Sequence, residues 1–244
     1  MSTLKIVSWN IFLGLGYPRS ASEQFLSLSG LGKKDTQANV KKVADEIRQL
    51  NPDFISLQEL TSGPGRFDQL SALSKWANLP HHYFAPERTF LGRSSGNAVL
   101  SKLKPHDNHP LALPSNWEKR NCIMTELLAG GQLLTILATH LGAHWISKWE
   151  RLRQVETLCD IIPKIKTPVI ITGDLNCEPT SKELRKLISN SKLKSLIETP
   201  TYPAFKPKNV FDQILVSQEF LVHAAGVLDA KVSDHLPVFA ELSI

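Results

Sequence analysis

Val169-Ile170-Ile171-Thr172-Gly173-Asp174-Leu175-Asn176 is a short apolar run that breaks into glycine, aspartate and asparagine. Such a run, bounded by polar breaks, reads as a buried strand that delivers Asp174 to its end. The same design recurs outward along the chain. Leu4–Trp9 leads to Asn10, Phe54–Gln58 to Glu59, and Ile136–Thr139 to His140. Asp212 and the pair Asp234-His235 instead stand just before the runs Gln213–Val216 and Pro237–Leu242. If the last two strands run opposite to the first four, all eight groups gather at one end of a sheet: Asn10, Glu59, His140, Asp174, Asn176, Asp212, Asp234 and His235. That is the geometry of an active site.

A chain of 244 residues with 42% hydrophobic content can bury one large core, and residues 1–244 are expected to form a single domain. No apolar stretch approaches the roughly 20 residues that span a bilayer, and Met1-Ser2-Thr3-Leu4-Lys5 runs straight into a strand, so neither stable membrane insertion nor a signal peptide is expected. Cys122, Cys159 and Cys177 are odd in number and lack metal-ligand spacing, which suits a reduced, cytoplasmic setting. A monomer is the expectation. The formal net charge of +5 fits an anionic substrate but not a dedicated DNA-binding stripe.

Strands and helices alternate, which argues for an α/β sandwich. Residues 11–35 form a long connection, either a functional loop or one with its own helix around Ala21–Leu28. Asp35 or Thr36 can cap a helix with Val40, Val43, Ala44, Ile47 and Leu50 on its apolar face, ended by Asn51-Pro52. A second helix is expected at Phe67–Asn78, a strand at Gly96–Ser101, and a hairpin from Cys122–Leu128 and Leu133–Thr139 across Gly130-Gly131. Trp149, Leu152, Val155, Cys159 and Ile162 mark one face of a further helix, and Thr180 with Glu183 forms a capping-box pattern for the next.

Each polar group has a plain structural alternative when taken alone. Asp174 and Asn176 could close an Asx-turn. Glu59 could be a solvated turn residue and His140 an edge histidine. Asp212 is less easily dismissed, because a carboxylate entering a buried strand needs a partner and a histidine is the natural one.

Together, the segments Ser8-Trp9-Asn10, Gln58-Glu59, Gly96–Ser101, Thr139-His140-Leu141, Gly173–Asn176, Phe211–Ile214 and Ser233-Asp234-His235 resemble those of the endonuclease/exonuclease/phosphatase superfamily, the DNase I-like hydrolases. The resemblance runs from residue 8 to residue 235. It implies two packed mixed β-sheets flanked by helices, a four-layer α/β sandwich, and Mg²⁺- or Mn²⁺-dependent hydrolysis of a phosphodiester or phosphomonoester. Oxygen-rich sites suit such ions. By this resemblance Glu59, Asn10 and Asp234 belong to the metal shell. Asp212 orients His235, and Asp174 aligns or deprotonates the water. Asn176 stabilises the phosphorus centre, and His140 binds phosphate or protonates the leaving group. In some nucleases of the superfamily a carboxylate orients that last histidine, and the sequence offers no evident equivalent.

The branch is read by what is missing. An AP-endonuclease stretch is replaced by Thr139-His140-Leu141, the inositol-phosphatase signature is absent, and the disulfides of secreted DNases do not appear. What remains is similar to small bacterial single-domain hydrolases, in motif style close to tyrosyl-DNA phosphodiesterases and sphingomyelinases, with Thr201–Pro207 and Glu150–Gln154 typical of that group. Nucleic acid or a nucleotide-like ester is the favoured substrate and a phospholipid head group the alternative. Substrate contacts are sought at Asn97, Trp145, Lys206 and Lys208, while Lys148, Arg151 and Arg153 could steer phosphate or simply lie solvated on a helix. The reading of a different class is a non-catalytic binding module on the same fold.

Overall fold

A computed structural model describes residues 3–23, 36–63, 67–90, 92–116, 119–143 and 148–244. Of the helix expected around Ala21–Leu28, only residues 21–23 are described, and they are helical. Among the described residues twelve strands form two six-stranded sheets. The first holds β1 (Leu4–Asn10), β2 (Phe54–Ser62), β3 (His81–Phe90), β4 (Arg93–Ser101), β11 (Leu221–Val227) and β12 (Val238–Ser243), in the order β11-β12-β1-β2-β4-β3. The second holds β5 (Asp107–Leu113), β6 (Arg120–Ala129), β7 (Gln132–His140), β8 (Val169–Asp174), β9 (Lys194–Ser195) and β10 (Asp212–Val216), in the order β5-β6-β7-β8-β10-β9.

Each sheet has a parallel pair at its centre, joined by a crossover helix as parallel strands require. Helix α1 (Thr36–Leu50) links β1 to β2, and α3 (Lys148–Ile161) links β7 to β8. Beside each pair an antiparallel strand runs back: β12 along β1 and β10 along β8. The opposed direction expected for the last two strands is therefore present, and one rim of the sandwich collects four strand ends and two strand beginnings.

Alternation along the strands sorts side chains into layers. Val7, Trp9, Ile55 and Leu57 pack on α1 and α2 (Gln69–Ala77), whose inward residues include Val40, Val43, Ile47 and Leu73. On the outer face of the second sheet, Leu137 and Ile171 meet Val155 and Leu158 of α3 and Leu184 and Leu187 of α4 (Lys182–Ser191). The opposite phase fills the space between the sheets with Ile6, Phe54, Ile136, Ala138, Ile170 and Ile214. Burying each of the isoleucines and Phe54 contributes about 1.5–3 kcal/mol. Continued toward the rim, this inter-sheet phase passes through a buried hydroxyl layer, in which Ser56 Oγ donates to Ser8 Oγ at 3.0 Å and lies 3.1 Å from Thr172 Oγ1. It then reaches Asn10, Gln58, His140, Asp174 and Asp212.

Three local expectations are corrected. Trp149 does not face the core but is 78% exposed, and α3 turns Glu150, Arg151 and Gln154 inward with Val155 and Leu158. The loop after β7 explains this: Arg151 Nη1 donates to Gly142 O at 2.7 Å, and Gln154 Oε1 accepts from Gly142 N–H at 3.0 Å. Arg151 is thereby committed to structure rather than lying solvated on the helix surface. The cap of α4 is Ser181 rather than Thr180, its side chain accepting from Leu184 N–H at 3.1 Å. β5, β3 and the start of β4 lie in stretches where no strand is expected, because their alternation is broken by prolines and charges, whereas the rest of β4 is the strand expected at Gly96–Ser101. Among the described residues no helix is long and apolar enough to cross a membrane.

Candidate active site

Asp174 stands at the centre of the rim. Its strand end needs Gly173 before it, since a Cβ there would lie 1.8 Å from Thr139 O of the neighbouring strand, and φ is +147°. The carboxylate is buried and fully engaged. Oδ1 accepts from Asn176 N–H at 2.9 Å, and Oδ2 accepts from Asn10 Nδ2 at 3.1 Å. Nε2 of His140 and of His235 lie 3.6 Å and 3.7 Å from the same Oδ2. Asn176 takes φ +49°, a left-handed conformation that asparagine tolerates, and its amide donates to Leu141 O at 3.0 Å.

The partner expected for Asp212 is present. Asp212 Oδ2 lies 2.8 Å from His235 Nδ1 and accepts from Thr201 Oγ1 at 2.5 Å, while its buried Oδ1 has no partner among the described residues. The Tyr202 ring covers His235, centroid to centroid 4.5 Å, and Trp9 Nε1 donates to His235 O at 2.9 Å. Burial alone would pull the His235 pKa down, but Asp212 and Asp174 push it up to about 10. His235 therefore holds its proton at neutral pH.

Glu59 sits where β2 departs from regular pairing, between Leu57 and Leu60, with φ +54°. A bulge re-aims a side chain, and backbone strain of this kind costs about 1–3 kcal/mol. Here it brings Glu59 Oε1 to 3.4 Å from Asn10 Nδ2. Burial raises the Glu59 pKa, with Asp174 adding to the effect. Burial also raises that of Asp234, to about 7, with Glu59 and Asp174 contributing. The half-buried Glu59 and the buried Asp234 thus face each other with Asp174 behind them, and this corner is short of positive charge. The hard oxygen donors of Glu59 and Asp234, with the remaining lone pair of Asn10 Oδ1, which also accepts from Phe12 N–H at 3.1 Å, fit a divalent cation. Asp174, Asp212 and His235 also place one potential ligand atom each within 4.8 Å of one another, with Asp212 Oδ2 2.8 Å from His235 Nδ1 and Asp174 Oδ2 3.7 Å from its Nε2.

Sequence reasoning missed the far wall of the site. Arg120, at the start of β6, places Nη1 2.9 Å from Glu87 Oε2 and 3.1 Å from His140 Nδ1. Burial raises the Glu87 pKa to about 7 against the pull of Arg120, so above neutral pH the two form a buried ion pair. Asn97, expected as a substrate contact, is buried instead, with its amide donating at 3.0 Å to Glu87 Oε1 and to Asn121 Oδ1. It supports the wall rather than facing the cleft. Nothing in the sequence distinguishes Arg120 or Glu87 from solvated charges, because both lie in stretches without alternation. Leu13, Glu59, Glu87, Arg88, Ser95 and Arg120 line a cleft of about 200 Å³. Lys206 and Lys208 are exposed on the turn tied to the site through Ala204 N–H and Asp234 O at 2.6 Å. Trp145 lies outside the described residues.

Two mixed sheets packed face to face, with this acidic and histidine-bearing rim, define a DNase I-like phosphoesterase fold. The chain belongs to the Endonuclease/Exonuclease/phosphatase family, whose model matches residues 7–235, and it is a hydrolase of phosphate esters. It is similar in structure to an endonuclease/exonuclease/phosphatase from Beutenbergia cavernae DSM 12333, with TM-score 0.81, 21% identity, and coverage of 100% of this chain and 72% of that one. The human Nocturnin catalytic domain matches at TM-score 0.74 and 21% identity over 99% of this chain and 94% of that one. A humanized D. rerio TDP2 matches at 0.73 and 16% over 100% of both. No curated protein matches the sequence.

Proposed function

We propose that residues 1–244 form one catalytic domain that hydrolyses a nucleic-acid or nucleotide-like phosphate ester with Mg²⁺ or Mn²⁺. The observation that carries this reading is Asp174 Oδ2, which accepts from Asn10 and lies within 3.7 Å of Nε2 of both His140 and His235. A carboxylate flanked by two imidazoles suits a water and a phosphoryl group better than a structural turn. Glu59, Asp234 and Asn10 would hold the ion, which when bound supplies Lewis-acid stabilisation of charge on a phosphoryl oxygen.

The chain's own groups do the rest. Asp174 aligns the attacking water and takes its proton. His235, kept charged by Asp212 and Asp174, donates from Nε2 to a phosphoryl oxygen. Asn176 spends one amide hydrogen on Leu141 O and keeps the other for the phosphorus centre, as a preorganised donor. His140 contributes from Nε2 on the other side.

Nucleic acid is favoured by the +5 charge and by arginines on the cleft wall, Arg88 and Arg120. Its neighbours on this fold include Nocturnin and TDP2. A phospholipid head group is the second reading, favoured by Trp149, which is 78% exposed beside the exposed Lys148. Three free, buried cysteines suit a reducing cytoplasmic setting, and the domain acts as a monomer. A substrate panel of single-stranded and end-exposed DNA and RNA, sphingomyelin and phosphorylated small molecules, run with Mg²⁺, Mn²⁺ and EDTA, tests this. EDTA-sensitive hydrolysis of nucleic acid is expected. Sphingomyelin cleavage without nuclease activity overturns the substrate class, and silence on the whole panel overturns the reading.

A further inference from the structure

His140 is held between two groups of opposite hydrogen-bonding kind. On one side Arg120 Nη1 is 3.1 Å from Nδ1, and on the other Asp174 Oδ2 is 3.6 Å from Nε2. A guanidinium can only donate and does not give up its proton in proteins, whereas an ionised carboxylate only accepts. One protonation state satisfies both contacts: a neutral imidazole with its proton on Nε2. The other neutral tautomer, or the imidazolium, would set an N–H against the arginine. The ring's orientation is fixed by the same two neighbours, since turning it over would place carbon atoms against both.

The geometry points to Arg120 as a positioning residue that locks His140 as the neutral Nε2–H tautomer, a hydrogen-bond donor to the phosphoryl group rather than the acid that protonates the leaving group. Glu87 is what holds Arg120 there. Its Oε2 accepts from the same Nη1 nitrogen at 2.9 Å, so the two hydrogens of Nη1 are divided between carboxylate and imidazole. Asn97 in turn donates to the other oxygen of Glu87. The chain crosses the sandwich: Glu87 and Asn97 lie in the first sheet, Arg120 and His140 in the second. The lock therefore depends on how the sheets face each other. Burial and the Arg120 charge, opposed by Asp174, also hold the His140 pKa well below its ordinary value. His235 on the other side of Asp174 is the reverse case, a charged ring made so by a carboxylate at Nδ1. The two histidines thus present the same Nε2–H to one carboxylate from opposite charge states.

This inference rests on the proposed reading only for the phosphoryl partner, and its test separates the two. Long-range ¹H–¹⁵N spectra of ¹⁵N-histidine-labelled full-length protein report the protonation of each ring nitrogen directly, with His140→Gln identifying the resonance. The wild type should show His140 with bare Nδ1 and protonated Nε2 at about pH 7–8, where Glu87 is ionised. In Arg120→Met this pattern should give way to a mixture of tautomers, and kcat on any substrate found should fall about 10²-fold with KM changed less. Because Arg120→Met strands Glu87, the double variant Glu87→Gln with Arg120→Met provides the same readout without a lone buried carboxylate. A protonated Nδ1 on wild-type His140, or a double variant indistinguishable from wild type, overturns the lock. Absence of hydrolysis by the wild type would overturn the proposed function and leave the tautomer result standing.

Discussion

At the residue scale, Asp212 works through what it bonds. One of its oxygens serves both Thr201 and His235, and that pairing keeps His235 charged although it is buried. The consequence for stability has a definite sign. The folded pKa lies above the unfolded value, so the pair's contribution is fully present below about pH 6.5 and fades as pH rises toward the folded value of about 10. Urea unfolding in EDTA, compared between wild type and His235→Gln, should show the stability gap narrowing across that window. A gap that is constant or widens with pH would mean that the charged pair is not what Asp212 provides.

At the element scale, one strand end fixes the site and one helix end stabilises the layer behind it. Gly173 lets β8 pass β7 at a distance no side chain permits, and Asp174 follows directly. Gly173→Ala should cost more than about 3 kcal/mol, combining a backbone clash with a disfavoured φ, and should depress turnover in whatever protein folds. Thermal or denaturant unfolding within about 1 kcal/mol of wild type would contradict the close approach. Asp68 is the cap of α2, where it accepts from Ser71 N–H, Ser62 Oγ and Gly63 N–H, each at 2.8–2.9 Å. The residue stabilises the helix that packs behind Leu57 and Leu60, so Asp68→Ala should cost about 1 kcal/mol in denaturant unfolding with little change in kcat. A neutral variant would indicate that its partners find water instead.

At the scale of the whole molecule, two sheets with the same plan, a central parallel pair and an antiparallel return, place the acidic groups at one rim, with Arg88 and Arg120 lining its cleft and Lys206 and Lys208 exposed on the turn tied to it. If the substrate is nucleic acid, binding should weaken steeply as salt rises, and Lys206→Ala with Lys208→Ala should lower affinity and flatten that salt slope. A slope unchanged by the double variant would take those lysines out of the binding face. Much of this rim is legible in the sequence, for a physical reason. A strand buried on both faces must be apolar, so a single polar residue at its end announces itself, as Asn10, His140, Asp174 and Asp212 do. The Asp212–His235 pair is readable because a buried carboxylate demands a partner. Arg120, Glu87 and Thr201 are not, since they become site residues only when two sheets close on each other. Asn97 reads as a contact and becomes a support for the same reason. Trp149 reads as core because periodicity cannot show that the loop after His140 claims Arg151 and Gln154 instead.

The central claim is that this rim is a metal-dependent phosphoesterase site built around Glu59. Hydrolysis of a generic phosphodiester by wild type and by Glu59→Gln, measured in Mg²⁺, after EDTA, and after Mg²⁺ is restored, tests it most directly. The account predicts that wild-type activity disappears with EDTA and returns with the ion, and that Glu59→Gln stays folded, by circular dichroism and unfolding midpoint, yet inactive throughout. Full activity of Glu59→Gln in Mg²⁺, or wild-type activity indifferent to EDTA, would contradict it.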